Sequence, residues 1–238
     1  MCVPGVVSPI VTYFWPKLVI LGGCSADSPI LGRVNIAVEN RQETDGQPWY
    51  TTSFGSAMVL IISGLIGLGA TLVLTYERIQ LWIDPDYLTS CDINVWVSCG
   101  TVMQSWQAAL FGFPNQFIGI IGFTVVATIG LAILGGARFA NWWWHATSIG
   151  LGLAMVFCLW LWIQAVYVIN TLCLYCMVIW AVTIPAAVLI FARNIARDLI
   201  KVTPRTKMIV VTAAWPTIIL LYVVIAASIL LRFGEAMF

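Results

Sequence analysis

Four stretches of the chain, 46–76, 93–137, 139–192 and 208–231, contain no Asp, Glu, Lys or Arg. Charged residues make up 9% of the sequence, and they are confined to the gaps between these runs. Soluble domains carry about a quarter charged residues, so this pattern excludes one. A net charge of +1 leaves no basic footprint for nucleic acid, and no Gly-Lys phosphate loop occurs.

A helix crosses a hydrocarbon core with about 20 mostly apolar residues. The first run therefore supplies one span at 54–76, and the second supplies one at 117–136. As a single helix the third would be about 80 Å long, against a core of about 30 Å. It must fold back, and Gln164, Asn170 and Thr171 mark the turn, giving spans at 143–163 and 172–191. The fifth span is 208–231, where Trp215-Pro216 could introduce a kink. The segment 93–116 is charge-free but mixed, and is not a span. Within it, 100–111 repeats Val102, Met103, Trp106, Ala109 and Leu110 at spacings of three and four, the pattern of a short amphipathic interfacial helix. The fold class is an all-α membrane protein with five transmembrane helices.

Orientation follows from Lys and Arg near the span ends. With the N-terminus cytoplasmic, Lys17, Arg33, Arg41, Arg138, Arg193, Arg197, Lys201, Arg205 and Lys207 all lie inside, and only Arg78 and Arg232 lie outside. Trp142, Trp143 and Trp144 then read as an aromatic belt at the inner interface, with His145 structural beside it. Residues 1–53 read as a mobile cytoplasmic tail, with 40–49 as its linker. Leu21-Gly22-Gly23-Cys24 has the form of a lipoprotein cleavage box, but cleavage there would invert every later span against the charge bias. Residues 193–207 form a basic cytoplasmic loop, and 208–238 the fifth span and a short end.

Topology sorts the seven cysteines. Cys2 and Cys24 fall in the tail, where thiols stay reduced. Cys158 lies alone in mid-span, where a free Cys acts as a small apolar residue. Cys91, Cys99, Cys173 and Cys176 all map to the outer, oxidising face. Cys173 and Cys176 form a C-x-x-C at a helix start that Asn170 or Thr171 could cap. Their spacing puts both sulfurs on one face, and the positive helix end favours a thiolate at Cys173. Alone, such a pair could equally be structural. Cys91 and Cys99, in the loop upstream, add a second pair. One pair in a mobile loop and one at a helix start are what a thiol–disulfide relay requires. Asp84, Asp86 and Asp92 give that loop an acidic cast that could steer a partner. Glu77 beside Arg78 reads as a local ion pair.

The order of loop pair followed by C-x-x-C resembles the vitamin K epoxide reductase family in its bacterial five-span branch. The related DsbB-type quinone enzymes have the two pairs in the opposite order. Further motifs agree: Ser98-Cys99-Gly100-Thr101-Val102, Ser105 six residues after Cys99, Phe111-Gly112-Phe113-Pro114-Asn115, and Gly119. The resemblance covers about 54–192 and implies a four-helix catalytic core around a quinone site. It implies that a reduced DsbA-like thioredoxin-fold protein, acting in trans, attacks a loop disulfide at Cys91. Cys99 then exchanges with Cys173, and Cys176 passes the electrons to menaquinone or ubiquinone. With only 232–238 after the fifth span and no C-x-x-C in 1–53, that partner is expected to be a separate chain.

For the quinone, the resemblance points to Ser105 near the C-x-x-C and to Asn115 as an amide donor to a carbonyl. Trp180 stands four residues beyond Cys176, where vertebrate members have Tyr; its indole N–H can only donate. Trp106, like Trp160 and Tyr175, is a candidate to line the slot, with a core or belt role as the competing reading for each. The expected location is the inner (cytoplasmic) membrane, with the cysteines on the outer face. The rival reading is a non-catalytic membrane scaffold stapled by a structural Cys91–Cys99 disulfide, in which Cys173 and Cys176 are dispensable. A small transporter would want charged residues in mid-bilayer, and the spans have almost none.

Overall fold

The computed structural model describes residues 48–237, with side chains to 234; Cys2, Cys24 and the tail up to residue 47 lie outside the described residues. The described chain is helical, in the order α1 (Ser53–Ile83), α2 (Cys99–Gln104), α3 (Asn115–Leu134), α4 (Asn141–Ile163), α5 (Leu174–Ala196) and α6 (Pro204–Met237). All but the short α2 are long and apolar enough to cross a membrane, so the five-span all-α fold read from the charge-free runs is the one observed. A bilayer offers the backbone no water, and a helix satisfies its amides internally.

The ends differ from the sequence reading in ways the packing explains. α1 runs past Tyr76 to Ile83 because Glu77 and Arg78 find partners on neighbouring segments. Beyond α4 the chain continues as a π turn over Gln164–Ile169 and breaks at Asn170, whose φ of 56° is left-handed. Asn tolerates that region better than most residues. α5 persists to Ala196, so the basic loop shrinks to 197–203, closed by Lys207 Nζ on Asp198 Oδ2 at 2.8 Å. α6 runs through Pro216 without interruption. The end of the expected mobile tail is a packed turn, Trp49–Thr51, with the Tyr50 hydroxyl donating to Val211 O at 2.9 Å.

α1 and α5 are the most buried spans: α1 packs along α3 and α5, and α5 also meets α4 and α6. Small residues bring α1 and α3 together. A Cβ on Gly64 would stand 2.6 Å from Ala127 N, and one on Gly130 2.9 Å from Ala57 O. Lipid tails are as apolar as the side chains, so close backbone approach supplies the packing energy here. α3 and α4, by contrast, barely meet, and a cavity fills the space between them.

At the end of the bundle away from the loop cysteines, the three tryptophans do not act as one belt. Trp142 is largely exposed at the edge of the cavity, Trp143 lines the cavity with Phe139 stacked 5.4 Å away, and Trp144 is buried beneath Arg193, whose guanidinium lies 3.3 Å from the ring centroid. Arg193 is held by that cation–π contact, Ser56 Oγ and Asn194 Oδ1. A desolvated cation–π pair contributes about 2 kcal/mol.

Candidate active site

The site begins where α5 begins. Cys173 has extended backbone (φ −114°, ψ 118°) and is itself the N-cap, its sulfur accepting the Cys176 N–H at 3.4 Å. Neither Asn170 nor Thr171 takes that role. The preceding residue, Leu172, is laced to the loop: its N–H donates to Trp96 O at 2.8 Å, and its carbonyl accepts the Ser98 N–H at 3.0 Å. Both bonds are made by the residue before Cys173, and the second by the residue before Cys99. They bring Cys99 Sγ to 3.2 Å from Cys173 Sγ.

Cys91 and Cys99 form a disulfide, with Cα atoms 5.5 Å apart, while Cys173 and Cys176 are free thiols. The loop pair is therefore oxidised and the C-x-x-C reduced. The sulfurs of Cys91, Cys99 and Cys173 lie within 4.8 Å of one another. Two of the three are tied to each other, so one thiolate remains, a spacing suited to exchange rather than to metal ligation. Leu74, Leu81 and Met103 wall the cluster, leaving Cys91 2%, Cys99 0% and Cys173 1% exposed.

Charged and polar groups hold the loop shut. The Asp92 carboxylate accepts Ser98 Oγ–H at 2.6 Å, Thr89 N–H at 2.8 Å and Gly100 N–H at 3.1 Å, tying the segment before Cys91 to the start of α2. Burial works against its charge, but these bonds outweigh it and hold the carboxyl below its ordinary range. Glu77 is buried and accepts the Ser90 N–H at 3.3 Å, and Ser90 Oγ meets the Tyr175 hydroxyl at 3.1 Å. Arg78 donates to Met103 O near the end of α2 and lies over Trp82. The expected Glu77–Arg78 ion pair is absent among the described residues, because the two side chains serve different segments of the loop. Sequence reading missed these roles. The available signal was two charges in the last turns of an apolar helix, where an unpaired charge is costly.

Behind the cysteines lies an overwhelmingly apolar cavity of about 790 Å³, bounded by α1, α3, α4 and α5 and closed by the segment after Cys99. Cys173, Cys176, Ser105, Asn115 and Trp180 all reach its wall. The expected helix over 100–111 is broken: α2 stops at Gln104, Ser105 is extended (φ −71°, ψ 153°), and a 3₁₀ turn follows over Trp106–Ala109. Ser105 Oγ donates to Val102 O at 2.7 Å, satisfying a carbonyl at that break. The Phe-Gly-Phe-Pro turn then needs Gly112 at φ +82°, and Pro114 caps α3.

Asn115 Nδ2 donates to Gln107 O at 2.7 Å, so the amide pins the closing segment, while its Oδ1 is buried without a partner. Gln116 Oε1 and the Trp180 indole N–H are likewise buried and unpartnered on this wall. Cys158 also lines the cavity. Trp106 does not: it is 64% exposed and packs edge-on to Trp160 at 6.1 Å. Trp160 and Tyr175 are outside the lining as well.

A profile of the vitamin K epoxide reductase family matches residues 58–191, more than half of the chain, from the first turns of α1 to near the end of α5. The chain belongs to the vitamin K epoxide reductase family. No curated protein matches it. Family membership makes it a multi-pass membrane oxidoreductase. The matched residues include both cysteine pairs and every wall of the cavity, whereas α6 lies wholly beyond them.

Within this oxidoreductase Cys173 is the thiol best prepared to attack. The Cys176 thiol donates to its sulfur and lowers its pKa; burial opposes, and the amides of Cys176 and Tyr175 add to the lowering. The thiolate exists above the pKa, so attack by Cys173 on the loop disulfide falls as the pH drops through that value. We expect the midpoint to lie below the ordinary thiol value of about 8.5. Ultraviolet thiolate absorbance, read against a Cys173→Ser control, measures it. A midpoint at or above the ordinary value contradicts this reading.

Proposed function

We propose that the protein oxidises dithiols of a thioredoxin-fold partner of the DsbA type and passes the electrons through both cysteine pairs to a membrane quinone. The observation that carries this reading is the 3.2 Å contact between Cys99 and Cys173. A purely structural loop disulfide would not need a second, reduced pair against it.

The steps balance as two-electron exchanges. The partner's dithiol reduces Cys91–Cys99 and becomes a disulfide. The Cys99 thiolate attacks Cys173 of an oxidised C-x-x-C, and Cys176 leaves as a thiolate. Cys91 then displaces Cys173 from Cys99, restoring the loop disulfide. The reduced C-x-x-C gives two electrons and two protons to the quinone, forming quinol. The oxidised loop and reduced C-x-x-C correspond to the state just before that last step.

The cavity fits such an acceptor. It is apolar, Cys176 is on its wall, and the unpartnered Trp180 N–H can donate to a carbonyl, while Asn115 Oδ1 and Gln116 Oε1 can accept from a quinol hydroxyl. Ser105 holds the break in the closing segment rather than a free donor. Menaquinone and ubiquinone both carry this chemistry. The partner needs the loop to open, because Cys91 is buried. A groove of about 580 Å³ beside it, with exposed Leu88, Ile93 and Val95 among polar residues that include Asp86 and Asn94, supplies a landing surface of mixed polarity. The charge bias supports a cytoplasmic-membrane location with this end facing outward.

The test is a Cys99→Ala variant expressed with exported thioredoxin-fold proteins. Cys91 is expected to accumulate as a mixed disulfide with one of them, and the wild-type protein to form one quinol per partner disulfide. Absence of both the adduct and the quinol would overturn the proposal.

A further inference from the structure

α6 falls outside the residues that the family profile matches, yet its last turns reach the redox loop. Phe233 is 1% exposed and shares a buried cluster with Val166 and Leu172, with Trp96 and Val97 packed against it. Its ring meets Trp96 edge-on at 5.7 Å. The neighbouring Arg232 donates from Nε and Nη2 to Asn170 Oδ1, at 3.1 and 2.7 Å, fixing the left-handed residue that starts the strap into Cys173. Trp96 and Leu172 are bonded through their backbones, and Ser98 to Leu172 beside them. Phe233 thus supports the backbone seam that laces the cysteine loop to the residue before Cys173.

We propose that the end of α6 is a positioning element for exchange between the two cysteine pairs, with Phe233 as its wedge and Arg232 as its clamp. Neither touches a sulfur. They act by holding residues 96–98 against Leu172, which sets the approach of Cys99 to Cys173. A helix that only anchored the chain in lipid would have no reason to bury an aromatic ring under this seam or to spend an arginine on Asn170. The inference rests on the relay reading for its purpose, but its geometry concerns a single thiol pair.

The experiment uses the full-length protein in lipid. In a Cys91→Ala/Cys176→Ala background, Cys99 and Cys173 are left facing each other, and diamide joins them by accepting two electrons and two protons. Peptide mapping follows that bond with time. Adding Phe233→Ala is expected to slow its formation about ten- to a hundredfold, the scale of a 1 Å misplacement. Phe233→Leu should restore most of the rate. In a Cys91→Ala/Cys99→Ala background, diamide closure of Cys173–Cys176 should be unchanged by Phe233→Ala. Should Phe233→Ala not accumulate, the exposed Arg232→Ala carries the same comparison. An unchanged Cys99–Cys173 rate, or equal slowing of both bonds, overturns the inference. If the Cys99–Cys173 bond fails to form even with Phe233 and Arg232 intact, it is the relay reading itself that falls.

Discussion

A Cys176→Ala variant is expected to lose quinone reduction down to the uncatalysed background and, at the same time, to rearrange its disulfides. Cys173 keeps its place at the head of α5, 3.2 Å from Cys99. Its thiolate attacks Cys99, the Cys91–Cys99 bond breaks, and Cys91 leaves as a free thiolate. In the intact protein Cys176 can resolve the resulting Cys99–Cys173 bond; without it the bond persists. Non-reducing peptide mapping should therefore find Cys99 joined to Cys173, and Cys91 newly open to alkylation. The scaffold reading predicts the reverse, an intact Cys91–Cys99 bond with Cys173 free, and that outcome would remove the basis for the relay.

The second large effect is expected at Asp92. Its carboxylate gathers three donors, and hydrogen bonds to a charged group contribute about 1.5–3 kcal/mol each. Losing the equivalent of one is worth roughly a factor of ten or more in the population of the closed loop. Asp92→Ala should slow exchange between the pairs about ten- to a hundredfold, measured by stopped-flow transfer from a reduced loop to an oxidised C-x-x-C. Asp92→Asn, which keeps one acceptor, should fall between. The Asp92 charge raises the Cys173 pKa, so its removal alone would make Cys173 a better leaving group and speed its displacement by Cys91. A slower rate therefore reports lost positioning, and an unchanged or faster one would discard this role. The pH sign agrees: a carboxyl held below its usual range keeps its donors as pH falls through about 3.9 and releases them only below that.

The spans were legible because a bilayer demands long charge-free runs, and no competing force acts at that scale. The order of the four cysteines pointed to two pairs that meet, and the structure brings Cys91, Cys99 and Cys173 within 4.8 Å of one another. What failed was local. The period over 100–111 suggested one helix, but Ser105 at the lid is extended, and its hydroxyl takes the carbonyl of Val102. In sequence Trp180 was a candidate by its place four residues beyond Cys176, and Trp106 only as a lining residue against a competing core or belt role. Only the tertiary turn of the chain puts Trp180 on the cavity wall and Trp106 outside it. Glu77 and Arg78, adjacent and opposite in charge, looked self-sufficient. Each in fact reaches a different part of the loop, which no spacing rule foretells. Phe233 was invisible for a related reason: one more apolar residue at the end of an apolar span carries no mark of what it will meet.

Cys173 caps α5 with the same sulfur that the proposed relay would oxidise and reduce. A thiolate is a strong acceptor for the amides of a helix start, whereas a disulfide sulfur is neutral and weak. In the proposed relay each turnover would therefore tighten and loosen the first turn of a transmembrane helix. The backbone around Cys176 becomes a gauge of the electrons the protein holds, readable as amide protection that rises on reduction and fades on oxidation.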